Sequence, residues 1–295
     1  MTPVPPTSAT RTSATRTPGH ATPAPDALRF PPREAWTAES TPRALLRGSM
    51  LQAERILVKW ATDPATLLQS LLFPALMVLM FWLVLDRSVS AHSGSSSVFG
   101  MVPMVALVGA MSGASISGLG LRRERMSGLL TKMWVLPVHR ASAMVGRLLA
   151  EAVRIVITVS AVLAVGTIIG FRIESGVLGY VAIIGVTLIF GIAFSIMVTA
   201  LALLSRDSHI VEWVAIGTNL AMFFNTGFVP AQSYPAWLRP IVEYQPLSCA
   251  VEAIRGLASG GPVALPLLLT AVWAAGLLAV FTGPTLSGYR RAASR

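Results

Sequence analysis

The stretch VLGYVAIIGVTLIFGIAFSIMVTALALL, Val177–Leu204, runs for 28 residues without one Asp, Glu, Lys or Arg. A helix rises about 1.5 Å per residue, so this run is long enough to cross a hydrocarbon core of about 30 Å. A barrel strand needs only about ten residues, alternating apolar and polar. This run is continuous, and its length and lack of alternation both specify a helix. Working outward, five further runs repeat the pattern: Ala65–Leu85, Val98–Leu121, Leu148–Phe171, Ile210–Val229 and Val263–Phe281. The expected fold is therefore an all-α integral membrane protein with six spans.

The charge distribution orients these spans. The chain is 54% hydrophobic and carries a net charge of +10. If the N-terminus is inside, the inner segments are Met1–Pro64, Arg122–Arg147, Ser205–His209 and Thr282–Arg295, and they hold 18 of the 23 Lys and Arg. The outer loops hold Arg87, Arg172, Arg239 and Arg255, and Arg154 lies inside the third span. Basic residues collect on the cytoplasmic side of membrane proteins. Both termini are expected in the cytoplasm and the chain in the cell membrane. Once topology is counted, no basic stripe with interleaved aromatics remains, so nucleic acid is not an expected partner.

Residues 1–40 are rich in Thr, Pro, Ala and Ser and lack apolar periodicity, as expected of a disordered cytoplasmic tail. They show no apolar run with a small-residue cleavage site, so no cleaved signal peptide is expected. Residues 41–64 differ. On a helix, Leu45, Leu46, Met50, Ala53, Ile56, Leu57 and Trp60 form one face, and Arg43, Arg47, Glu54, Arg55 and Lys59 the other. This reads as an amphipathic helix in the cytoplasmic interface, against membrane lipids. The alternative is a soluble helix packed on another element. Residues 65–283 form the six-span domain, and 284–295 a basic cytoplasmic tail.

Several residues stand out by position. Gly109, Gly113 and Ser117 recur every four residues in the second span, a row that lets helices approach closely. A packing face within the subunit is the first reading and a dimer face the alternative. Glu151 and Arg154 lie three apart near the start of the third span and are expected to form a structural ion pair. Glu212 falls in the first turn of the fifth span, where the helix dipole favours a carboxylate. The four His, at 20, 92, 139 and 209, have no metal-ligand spacing, and the single Cys249 can form no intrachain disulfide. Neither Lys59 nor Lys132 sits in the G-x-x-x-x-G-K-[ST] setting that cradles phosphates. No cofactor, metal or catalytic group is expected on this chain.

The longest inner loop reads LRRERMSGLLTKMWVLPVHRASAMVGR, from Leu121 to Arg147. Leu129, Leu130, Met133 and Trp134 make an apolar edge on a short helix that Pro137 stops. Such an edge inside a collar of Arg122, Arg123 and Glu124 is what a soluble partner could grip. A helix lying flat on the membrane surface is the alternative.

The run Glu124-Arg125-Met126-Ser127-Gly128, the proline nine residues on at Pro137 and the block WVLPVHRAS resemble the ABC-2 type permeases. Within them, the resemblance is to the daunorubicin-resistance-type drug and complex-lipid exporters, with mycobacterial-type phthiocerol dimycocerosate export permeases nearest. The segment SYPAWLRPIVEYQPLSCAVEAIRGLASGGP, Ser233 to Pro262, and the tail GYRRAAS add to the resemblance, which runs from about residue 42 to the C-terminus. Thr131 stands where family members often carry an acidic residue.

The resemblance implies an interfacial helix and a coupling helix between spans two and three, built on Arg122, Arg123, Glu124, Gly128, Leu129, Trp134 and Pro137. It also implies a re-entrant outer-leaflet hairpin between spans five and six, carrying Trp237, Pro246, Glu252 and Arg255. The residues permit that hairpin independently. Trp237, Leu238, Ile241 and Val242 form one apolar edge and Leu247, Ala250, Val251 and Ile254 another, each too short to span, with Pro240 and Pro246 as breaks. The implied partners are two ABC ATPase subunits, which would bind the ATP, and a second permease, identical or paralogous.

The expected cargo is an amphiphile, a hydrophobic drug or a complex lipid, with polysaccharide or glycoconjugate export as the alternative. Asn219, Phe223, Phe224 and Asn225 in span five form the candidate cargo path. Polar amides within a span face a cavity or a partner helix, and aromatic rings beside them suit a large apolar body. An interhelical Asn hydrogen bond is the competing reading. An integral-membrane transferase would need clustered catalytic groups, and a secondary transporter internal repeats and mid-membrane charges. Neither pattern stands out.

Overall fold

A computed structural model of the chain describes residues 41–93, 98–128, 139, 141–204 and 209–293. Among them the secondary structure is helical, without strands. The expected N-terminal tail and the loop residues Leu129, Thr131, Trp134 and Pro137 lie outside the described residues.

Helix α1, Pro42–Thr62, starts where its signals place it. The Thr41 hydroxyl accepts from the Ala44 amide at 3.3 Å and Pro42 occupies the first turn. Asp63 ends α1 and caps the next helix, α2, Pro64–Leu67: its carboxylate accepts from the Ala65 amide at 3.2 Å and from the Thr66 hydroxyl. The Thr66 hydroxyl above all holds the Asp63 carboxyl below its ordinary pKa, against a smaller opposing effect of desolvation.

A π-helical turn, Leu68–Leu72, joins α2 to α3, Phe73–Ser93, within one continuous rod. Its cause is Pro74, which has no amide to offer the Ser70 carbonyl one turn back. The Thr158 hydroxyl donates to that carbonyl at 3.2 Å instead. Within lipid a freed backbone group must find such a partner.

Helix α4, Val98–Met126, is the most buried long helix. It packs against α3, α5 (Ser142–Ile168), α6 (Gly176–Leu204) and α7 (Ile210–Phe223). A 3-10 turn, Ala231–Ser233, and three α-helices follow α7 among the described residues: α8, Arg239–Tyr244; α9, Pro246–Ser259; and α10, Ala264–Ala293. The apolar edge Leu247, Ala250, Val251 and Ile254 of α9 is wholly buried against α4, α6 and α10. Gly260, in the left-handed conformation that a side chain disfavours, closes α9.

Among the described residues, five helical segments are long and apolar enough to cross a membrane: Pro64–Val84, Val98–Met126, Ser142–Ile168, Gly176–Leu204 and Ala264–Tyr289. The expected span at Ile210–Val229 is not one continuous helix. α7 has 14 residues and stops at Phe223, about 21 Å at 1.5 Å per residue, short of the 30 Å core. Asn225 sets the stop. Its side-chain amide donates to the backbone carbonyls of Ala221 and Met222, and its oxygen accepts from the Gly227 amide at 2.6 Å. The side chain thus turns the chain back on the helix end.

A second difference concerns the loop after α4. Arg122, Arg123 and Glu124 do not start a separate helix; they are the last turns of α4 itself. Gly128 follows with φ +71° and ends it.

Helix α1 lies along α5 and buries Ser49 and Ala53 there. Its face is split: Ala53 is in, and Leu46 and Met50 are open. One side of α1 is thus packed on the bundle, as the packed-helix alternative has it.

Candidate functional site

Three places hold the residues singled out by sequence. The first is where α1, the end of α4 and the start of α5 meet. On α5, Arg147, Glu151 and Arg154 recur at helical spacing on one face and are all at least nine-tenths buried. They meet the small row of α4. The Arg147 guanidinium donates to the Ser117 carbonyl at 3.2 Å and to the Glu124 carboxylate. Arg55 of α1 reaches Glu124 at 3.4 Å. Arg154 donates through Nε to Glu151 at 3.1 Å and more weakly to the Ala110 carbonyl at 3.4 Å.

Gly113 makes this possible, because a Cβ there would occupy the space of the Arg154 guanidinium. The row Gly109, Gly113, Ser117 is therefore a packing face within the subunit, facing Thr158 and Pro74, then Arg154, then Arg147. Glu151 and Arg154 form the expected pair. Arg123 is exposed, and Arg125 donates to the Leu203 carbonyl at 2.7 Å. Glu124 differs from the exposed collar expected of it, because its side chain is 13% exposed and shared by two arginines.

The second place is α7. Trp213, Ile216, Leu220 and Phe223 form an exposed apolar stripe at spacings of three and four. Asn219 is exposed beside it and donates to the Ala215 carbonyl at 2.8 Å. Phe224 is half-exposed. Asn225 does not belong with them: it is fully buried and its amide is taken up by backbone. Four residues proposed together from their nearness in sequence thus separate, three outward and one into the core. Glu212 is in the first turn of α7, paired with His209 at 2.9 Å.

The third place is the segment from α7 to α9. Arg255 of α9 pairs with Glu252 at 2.8 Å and donates to the Thr226 carbonyl at 2.7 Å, tying the end of α7 to α9. The Gly227 carbonyl comes so close to Gly100 that a Cβ there would clash with it, and a Cβ on Gly227 would clash with the Asn225 and Met104 side chains. Pro246 opens α9, and Trp237 is 73% exposed. Trp273 of α10 donates to the Tyr244 carbonyl at 2.9 Å.

Sequence reasoning missed the Arg147–Glu124–Arg55 cluster and treated Arg147 as a loop charge. The signal was present: three ionisable residues at 147, 151 and 154 share one helical face, opposite a helix whose small residues leave slots.

Residues 49–258 match the family described as ABC-2 type transporter. A protein named as a probable doxorubicin resistance ABC transporter permease protein, DrrC, of Mycobacterium tuberculosis is 38% identical over 257 residues, covering 87% of this chain and 93% of that one. The same holds in a second strain of that organism. A daunorubicin resistance ABC transporter permease protein, DrrB1, of Streptomyces coeruleorubidus is 26% identical over 241 residues, covering 80% of this chain and 83% of that one.

Proposed function

The chain belongs to the ABC-2 type transporter family as a permease subunit, and from that premise we propose that it carries amphiphilic cargo out of the cell, powered by separate ATPase subunits. The observation that carries this is the 38% identity across nearly the whole length of a permease named for doxorubicin resistance. The cargo class is a large apolar body with a polar head, a hydrophobic drug or a complex lipid. Two ATPases and a second permease complete the assembly in the cell membrane.

Geometry supports a sixth, broken crossing. α6 ends at Leu204 beside Arg125 of α4, and Gly288 of α10 packs on Leu203. Glu174, before α6, bonds the Ala258 carbonyl of α9 at 3.0 Å. The ends of α4, α6 and α10 thus share one side, and the end of α9 lies on the other. In this reading the chain crosses in α7 and the turn after it, since Gly227 already lies against Gly100 at the start of α4. α8 and α9 then form the outer-leaflet hairpin and both termini are cytoplasmic.

The ATPases would meet the side bearing α1, Arg122, Arg123 and Gly128. The exposed stripe on α7 suits a second permease, with Asn219 and Phe223 beside the cargo. Co-expression with an ATPase carrying a P-loop, encoded next to the gene, tests the assembly. Copurification in equal numbers and ATP-dependent extrusion of an amphiphilic dye from the cell are expected. Purification of the permease free of any ATPase, with no extrusion, would refute it.

A further inference from the structure

Two clefts run along α4 and join. One, of about 430 Å³, opens between α1, α2, α4 and α5. The other, of about 310 Å³, lies between the π turn, α3, α4 and α7. Gln69, Ser70, Gly113, Ile116 and Leu119 line both, so the two are one groove. Its two ends differ in chemistry. The first carries Lys59, Arg123, Arg147 and Arg154 against Asp63, Glu124 and Glu151, one cation in surplus. The second is walled by Phe73, Pro74, Met77, Val105 and Val108.

The polar end is incompletely satisfied. One terminal nitrogen of Arg154 is buried with no hydrogen-bond partner, on a side chain 7% exposed, whereas Arg147 is engaged by the buried Tyr289 hydroxyl of α10. The unpaired Arg154 nitrogen lies over Gly113, a residue of both clefts. A buried donor without an acceptor is costly, more so when charged, so the site favours a ligand that brings oxygens. One surplus cation and an unfilled donor match a monoanion with several acceptor oxygens. The apolar continuation matches a hydrocarbon chain.

We propose that this groove binds an anionic phospholipid bearing a single phosphodiester. The phosphate sits beside Arg154 and an acyl chain lies against Phe73 and Met77. Trp60 stands at the mouth, its indole donating to the Ser70 hydroxyl at 2.8 Å, so the seam between α1 and the bundle is the way in. The site is formed by one chain and does not depend on the ATPase, so it can fail while the export reading stands.

The test uses the full-length chain in an uncharged detergent, with phosphatidylglycerol and phosphatidylcholine offered in turn and retention read by native mass spectrometry. One phosphatidylglycerol per chain, held in preference to phosphatidylcholine, is expected. Glu151→Gln with Arg154→Gln removes the buried pair as a unit. Ile116→Trp fills the junction and touches no charge, which keeps the test decisive if the double variant does not fold. Each should weaken phosphatidylglycerol retention roughly tenfold or more, the scale of one charge-assisted hydrogen bond or a blocked chain. Inorganic phosphate should not displace the lipid. Equal retention of the two lipids, unchanged retention in Ile116→Trp, or displacement by inorganic phosphate would each overturn the proposal, the last by showing a site for a free anion.

Discussion

Glu124 at the end of α4 and Arg147 at the start of α5 form an ion pair, so the loop between these helices is clamped at its base. Arg55 adds α1 to the clamp at 3.4 Å from Glu124. The end of α4, the start of α5 and the middle of α1 are thus tied at one junction.

Glu124→Gln removes one partner of a mostly buried pair. Breaking such a pair costs about 3–5 kcal/mol, because the remaining charge is stranded. A large drop in detergent-solubilised melting temperature is expected. Arg123 is exposed, and Arg123→Glu should change stability by no more than about 0.5 kcal/mol. If that reversal abolishes extrusion in the assembled transporter at normal yield, the surface beside Arg123 is where the ATPase acts. Equal melting of Glu124→Gln and wild type would show that the clamp contributes nothing.

The small row on α4 yields a graded prediction. At Gly109 a Cβ would meet Thr158 at 3.3 Å and Pro74 at 3.4 Å, a tight contact that small shifts relieve. At Gly113 it would displace the Arg154 guanidinium from Glu151. Gly113→Ala should therefore lose folded protein, while Gly109→Ala keeps most of it. The comparison is read from monodisperse yield by size-exclusion chromatography, and the reverse order would contradict the slot.

Pro74 and Thr158 are coupled through the Ser70 carbonyl, which the proline leaves without a helical donor. Thr158→Val should destabilise by about 0.6–1.7 kcal/mol, the range of hydrogen bonds measured within membranes. In a Pro74→Ala background the helix can supply its own donor, and the same substitution should cost less. A double-mutant cycle measures the difference, and strict additivity would remove the explanation for the π turn.

The long spans, the Glu151–Arg154 pair and the first-turn carboxylate Glu212 were legible in the sequence, because each follows from local spacing. The break at Asn225 was not, since hydropathy counts an Asn as a small loss in an apolar run, while its side chain ends the helix by bonding three backbone groups. The Arg147 cluster was hidden for another reason. Its members come from three segments, and the 69 residues separating Arg55 from Glu124 carry no local trace of the contact. Helix α4 running past the membrane-length stretch to Met126 also escaped notice, because charged residues extend a helix as readily as apolar ones do.

Topology gives a direct check on the broken crossing. In a Cys249→Ser background, cysteine at the exposed position 237 should react with an impermeant maleimide in intact cells. Cysteine at the exposed position 47 should react only after lysis. Reaction at both sites in intact cells would place α1 outside and contradict the clustering of Lys and Arg on the inner segments.

The separation of Asn225 from its neighbours reshapes the expectation for cargo. Asn225 makes its hydrogen bonds inside one subunit and is fully buried, so Asn225→Ala leaves the Gly227 amide and the end of α7 without partners. It should reduce folded yield and depress extrusion of every amphiphile in proportion. Asn219 and Phe223 are exposed on α7, next to the apolar stripe, and truncating either leaves the core untouched. Asn219→Ala and Phe223→Ala should keep expression and the basal ATPase rate of the assembled complex. If this face lines the cargo route, they should change the ranking of cargos, with Phe223→Ala weakening bulky aromatic amphiphiles more than slender ones. Burial of a Phe side chain is worth about 1.5–3 kcal/mol, so a shift of roughly tenfold in relative transport is the scale to look for. Extrusion measured for a panel of amphiphiles of matched hydrophobicity and differing head groups, normalised to protein level, separates the cases. Proportional loss for all cargos in Phe223→Ala would assign the stripe to subunit packing alone and remove it from the cargo path.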